Sequence, residues 1–77
     1  MVILIDMSKV IEEFAKRLNE LRKENNLSLR KLASEIGVSD NAIRRWEMKL
    51  RIPNIEVLVL LANYFGVSTD YLVGLED

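Results

Sequence analysis

Seventy-seven residues, 49% apolar and 30% charged, suffice for one small domain with a core of its own. The chain has no cysteine and no histidine, which excludes a disulfide framework, a Cys/His zinc site and any catalyst using imidazole as its base. The net charge of −1 argues against a uniformly basic surface, yet residues 22–51 carry eight Lys/Arg against four Asp/Glu and the remainder three against eight, so the cations are concentrated mid-chain.

The opening MVILID is apolar but brief. It has no basic flank and meets Asp6 at once, so it reads as neither a signal peptide nor a membrane span, and the cytoplasm is the expected location. Residues 1–7 are expected to form an apolar N-terminal arm beside a domain of residues 8–77. Five consecutive apolar residues loose in water invite aggregation, so the arm is expected to dock on its own or a partner's surface.

Val10, Ile11, Phe14, Leu18 and Leu21 recur at helical spacing and predict a first helix over about residues 8–24, capped by Asp6 or Ser8. Glu12–Lys16 and Glu13–Arg17 are i,i+4 pairs on its wet face. Asn25-Asn26 ends it, since Asn tolerates the left-handed backbone of a helix stop. Ser28 caps a second helix with Leu29, Leu32, Ala33 and Ile36 inward, and Gly37 stops it. Ser39 caps a third, running to about Met48. Asp40 in its first turn suits the positive end of the helix dipole. Pro53-Asn54 opens a fourth helix, Ile55 to Tyr64, closed near Gly66. Ser68 caps a short fifth, TDYLV, ended by Gly74. No strand is predicted, and the expected class is all-α.

Two short helices joined by a Gly-containing turn form a helix-turn-helix, whose second helix fits the major groove of DNA. That second helix here is DNAIRRWE. At about 100° per residue, Ile43 and Trp46 point together, while Asp40, Asn41, Arg44 and Arg45 spread over the rest of the circumference. The polar four match base edges. Arg donates twice to guanine, Asn donates to and accepts from adenine, and Asp accepts from the cytosine amino group. Arg30, Lys31, Lys49 and Arg51 flank this helix and suit phosphates, which position the protein without reading sequence.

LRKENNLSLRKLASEIGVSDNAIRRWEMKLRIPN followed by LANYFGVSTDYLVG resembles the lambda-repressor-like family, the Cro and phage-repressor type of helix-turn-helix domain. The likeness runs over roughly residues 9–77. It implies a compact five-helix domain binding double-stranded operator DNA, commonly as a two-fold dimer, with Asp40, Asn41, Arg44 and Arg45 in the base-reading positions. It places phosphate contacts at the start of helix 2 and the turn after helix 3, which adds Ser28 to the phosphate set, and Ser39, the cap of helix 3, is expected in that set as well. It also implies an ion pair between Arg22 and Glu47. Four positions depart from the family pattern. Leu29 stands where a phosphate-touching Gln is usual, Lys49 where Gly is usual, and Leu50 and Ile52 where polar residues are common. A left-handed Lys49 would cost about 1 kcal/mol.

In the fourth helix, Leu58, Leu61, Ala62 and Phe65 suffice for an inward face, and Val57, Leu60 and Tyr64 form a second apolar stripe. Such a stripe marks an interface, here expected to be a homodimer contact, with the N-terminal arm as the other possible cover. The expected function is a non-enzymatic, sequence-specific transcriptional regulator, a repressor or phage-type switch protein, needing no cofactor, metal or membrane. The alternative is a protein-interaction module on the same scaffold, antirepressor or antitoxin-like, which the acidic total and the apolar fourth helix favour. No Gly-rich phosphate loop or catalytic constellation points to an enzyme.

Overall fold

A computed structural model describes residues 6–77. It consists of five helices: α1 (Met7–Glu24), α2 (Leu29–Ile36), α3 (Asp40–Glu47), α4 (Ile55–Phe65) and α5 (Thr69–Leu72). No strand occurs among the described residues. The expectation that residues 1–5 dock on a surface lies outside the described residues.

Each helix begins on a side-chain cap. Asp6, Ser28, Ser39, Asn54 and Ser68 all have extended backbones and accept from an amide in the first turn of the helix they precede. These bonds satisfy amides that no intrahelical carbonyl can reach. The first helix therefore starts at Met7, with Asp6 as the cap; Asp6 Oδ1 accepts from both the amide and the hydroxyl of Ser8. The longer helices stop on left-handed residues, and two of these carry a side chain: Asn26 at φ 56° and Lys49 at φ 65°. After α3 the Leu50 amide returns to the Arg45 carbonyl at 2.9 Å and the Lys49 amide to that of Trp46 at 3.1 Å. This paired closure holds the strained Lys49 in place.

The core takes one wholly buried side chain from every helix: Leu18, Leu32, Ile43, Leu61 and Leu72. Phe14, Leu21, Ala33, Trp46 and Ala62 complete the cluster. Because even the four-residue α5 contributes a buried leucine, all five helices share one apolar interior. α2 packs mainly on α3, and α3 also packs on α1, which sets the orientation of the helix-turn-helix pair.

The helix 4 surface differs from the expected single stripe. Val57 is half-buried and packs on the core, while Leu60 and Tyr64 are exposed. Ile55 and Val59 are exposed on a second flank, with the polar Glu56 and Asn63 between the two. At 100° per residue Val57 lies beside Leu61 and so turns inward.

Candidate nucleic-acid interface

Helix α3 is fixed at three points. Ile43 is fully buried, Trp46 is 6% exposed, and Glu47 is clamped to α1. Arg22 Nε donates to Glu47 Oε2 at 2.7 Å and Arg22 Nη2 to Glu47 Oε1 at 2.9 Å, a bidentate pair in the geometry that suits guanidinium and carboxylate. Arg22 Nη1 also donates to the Leu27 carbonyl at 2.9 Å, which ties the turn between α1 and α2 to the same ion pair. The hydrogen bonds from Arg22 to Glu47 hold the guanidinium pKa above its ordinary value, outweighing the opposing effect of burial.

Asn19 joins this cluster, its Nδ2 donating to Glu47 Oε1 at 2.8 Å. Sequence reasoning missed it. The available signal was spacing, since residues 19 and 22 sit one turn apart on the same face of α1. The cluster leaves no buried side-chain nitrogen or oxygen unpartnered among the described residues.

What α3 turns outward is polar. Asn41, Arg44 and Arg45 are exposed and Asp40 is half-buried. Among the described residues, neither Arg44 nor Arg45 lies within ion-pair distance of a carboxylate, and Asp40 has no cationic partner. The four residues expected to read bases thus share one helix, and among the described residues their side chains have no hydrogen-bond or ion-pair partner.

The expected phosphate set occupies both margins of this helix. Ser28 Oγ accepts from the Lys31 amide at 3.0 Å and Ser39 Oγ from the Ala42 amide at 3.1 Å, so each hydroxyl keeps its proton for an outside acceptor. Arg30 and Lys31 are exposed on α2, and Lys49 and Arg51 on the loop after α3. Lys31 is engaged, its Nζ 3.2 Å from Glu35 Oε1. Leu29 is half-buried against the core, so this position presents no polar end. Beyond Arg51 the chain has no Lys or Arg, only Glu56, Asp70, Glu76 and Asp77, so the cations stop where α4 begins.

Arg17 is a further residue whose role the sequence understated. It pairs with Glu13 at 3.2 Å, but it also stacks over the Tyr71 ring at 4.4 Å and donates to the carbonyls of Tyr71 and Glu76. It thereby joins α1 to α5 and the residues after it. The expected Glu12–Lys16 ion pair does not form. No helix among the described residues is long and apolar enough to cross a membrane, and no group of three or more potential metal-ligating His, Cys, Asp or Glu residues occurs among them.

The helix-turn-helix family model HTH_3 matches residues 18–72, from mid-α1 to the end of α5. The uncharacterized HTH-type transcriptional regulator YobD of Bacillus subtilis is 36% identical over 83% of this chain and 57% of its own length. The HTH-type transcriptional activator BcrR of Enterococcus faecalis is 37% identical over 84% of this chain and 32% of its own length. The cryptic phage CTXphi transcriptional repressor RstR of Vibrio cholerae is 32% identical over 79% of this chain and 55% of its own length. The solution structure of the SOS-response transcriptional repressor LexA of Eubacterium rectale superposes with a TM-score of 0.78 at 28% identity, covering 97% of this chain and 76% of that one. The chain therefore spans little more than half, or less, of the curated relatives it matches.

Proposed function

The chain belongs to the helix-turn-helix family of Cro/C1 type, and from that premise we propose that it is a non-enzymatic, sequence-specific regulator of transcription acting in the cytoplasm. It binds double-stranded operator DNA as a two-fold dimer, each subunit laying α3 in the major groove. The observation that carries this reading is the division of α3: Ile43, Trp46 and Glu47 fix it to the body, and Asn41, Arg44 and Arg45 are left exposed without partners among the described residues. Arg44 and Arg45 donate to guanine, Asn41 pairs with adenine, and Asp40 accepts from cytosine. Ser28, Arg30, Lys31, Ser39, Lys49 and Arg51 contact phosphates on either side. The exposed Leu60 and Tyr64, with Val57 at their edge, supply the contact between subunits. Both a repressor and an activator stand among the relatives' names, and the phage repressor favours the switch-protein reading.

Two substitutions test the division of labour. Arg45→Ala should cost on the order of 1–3 kcal/mol on the preferred site and relax one base position. Lys49→Ala should weaken all sequences alike and flatten the dependence of log affinity on log salt by about one unit. Equal behaviour of both variants and the parent on a randomised pool of sites would refute the assignment of this face.

The acid-only segment after Arg51 and the exposed apolar residues of α4 favour a second reading, a protein-interaction module on the same scaffold. Gel shifts separate the two. A complete lack of binding to genomic DNA at about 50 mM salt, where phosphate attraction is strong, would select the module.

A further inference from the structure

The loop after α3 is unusual for a segment that meets phosphates. Met48, Leu50 and Ile52 are 57–63% exposed, interleaved with Lys49 and Arg51. A recess of about 310 Å³ lies against this loop, lined by Ile11, Lys49, Leu50, Arg51 and Ile52. Ile11 and Ile52 also wall a second recess of about 110 Å³, an almost wholly apolar trough that reaches Val10, Phe14, Leu58 and Val73. The two recesses share that isoleucine pair, the first carrying the cations Lys49 and Arg51 and the second almost wholly apolar.

We propose that this groove binds a free single-chain amphipathic anion of the fatty-acid type. Its head pairs with Lys49 and Arg51, and its chain passes between Ile11 and Ile52 into the trough. Neither cation has an ion-pair partner among the described residues, so the head meets uncompensated charge. DNA accounts for the two cations but not for the trough behind them, because phosphates present nothing apolar to fill it; residues 1–5, the other apolar candidate, lie outside the described residues. A second copy related by a two-fold axis through this loop would bring Lys49 and Arg51 close to their own symmetry mates, a like-charge arrangement that disfavours the contact. The larger recess lies at the lower end of small-ligand sites, ~300–1,000 Å³, and the trough, about 110 Å³, takes only part of one acyl chain, which leaves no room for a two-chain lipid.

A regulatory consequence rests on the DNA-binding reading above. Lys49 and Arg51 serve both the anion head and the phosphates, so each ligand weakens the other reciprocally. The anion would act as an inducer that releases DNA.

Laurate, kept below its micelle concentration, is titrated into the full chain without DNA and followed by amide NMR. Saturable shifts clustered at residues 10, 11, 49–52, 58 and 73 are expected, with a dodecylammonium salt producing none. Ile52→Ser, at an exposed position outside the DNA-contacting set, should weaken laurate at least tenfold while leaving the remaining spectrum in place. In a second arm, saturating laurate should lower DNA affinity at least tenfold for the parent and not for Ile52→Ser. Laurate binding with no DNA binding at all would uphold the ligand site while removing the DNA reading. Absence of saturable shifts overturns the proposal. Two further outcomes, each without laurate saturation, overturn it and reassign the groove: capture by phosphatidylglycerol vesicles that Ile52→Ser abolishes, or a loss of self-association in that variant.

Discussion

Lys49 occupies a left-handed backbone at φ 65°, where a side chain costs about 1 kcal/mol relative to glycine. The same residue places an exposed cation directly after α3. Lys49→Gly should therefore act in opposite directions on two measurements. It should raise thermal stability by a few tenths of a kcal/mol, up to about 0.5, since relief of strain is largely offset by the extra freedom of the unfolded chain, and should weaken DNA binding. The Arg22–Glu47 pair gives a second prediction. Its side chains are only 13% and 10% exposed, so removing one partner strands the other away from water. Glu47→Ala should cost about 2–3 kcal/mol in urea unfolding, short of a fully buried pair because one edge remains wet. The raised pKa of Arg22 fixes the sign of the pH effect. The Arg22 contribution is fully present below the ordinary arginine value and fades only as pH rises through the elevated folded one, so it stays constant through neutral pH.

Between helices, the chain passes close to α1 after α5. Gly74 has φ 83°, and a Cβ there would stand 2.7 Å from Glu13 Cβ. Gly74→Ala should cost about 2 kcal/mol or more, combining left-handed strain with a clash against the root of a helical side chain. It should also displace the carbonyls that Arg17 holds, which amide exchange at residues 71–76 would reveal. Gly74 was legible in the sequence only as the stop of α5; its close approach to Glu13 arises 61 residues away in the chain. The helices themselves were largely legible, because Ser28, Ser39, Asn54 and Ser68 each announce a start by cap chemistry, and Ile43 and Trp46 fall at helical spacing. The reach of Arg17 to the Tyr71 and Glu76 carbonyls was not, since a backbone acceptor carries no side-chain signature. Asn19 likewise gained its role from a helix folded back 28 residues later. On α4, the apolar positions were read correctly as apolar, but periodicity alone did not settle that Val57 turns inward while Ile55 and Val59 do not.

At the scale of the whole molecule, charge is segregated more than the net value of −1 suggests. The cations run from α1 to Arg51, and α4, α5 and the residues after them carry acids only. A DNA-bound molecule would thus present its basic side to the duplex and its acidic side to water, limiting non-specific attraction while keeping attraction where contacts form. A two-fold dimer that reads both half-sites must hold its two α3 helices near 34 Å apart, about one turn of the duplex. Selection of bound sequences from a random double-stranded library by the full chain tests the placement of α3 most directly. The expected outcome is enrichment of a two-fold symmetric site whose half-sites lie about 10 base pairs apart, with one guanine position relaxed when Arg45→Ala replaces the parent. Recovery of an unenriched pool by the parent, or of the same site by the Arg45→Ala variant with undiminished preference, would contradict it.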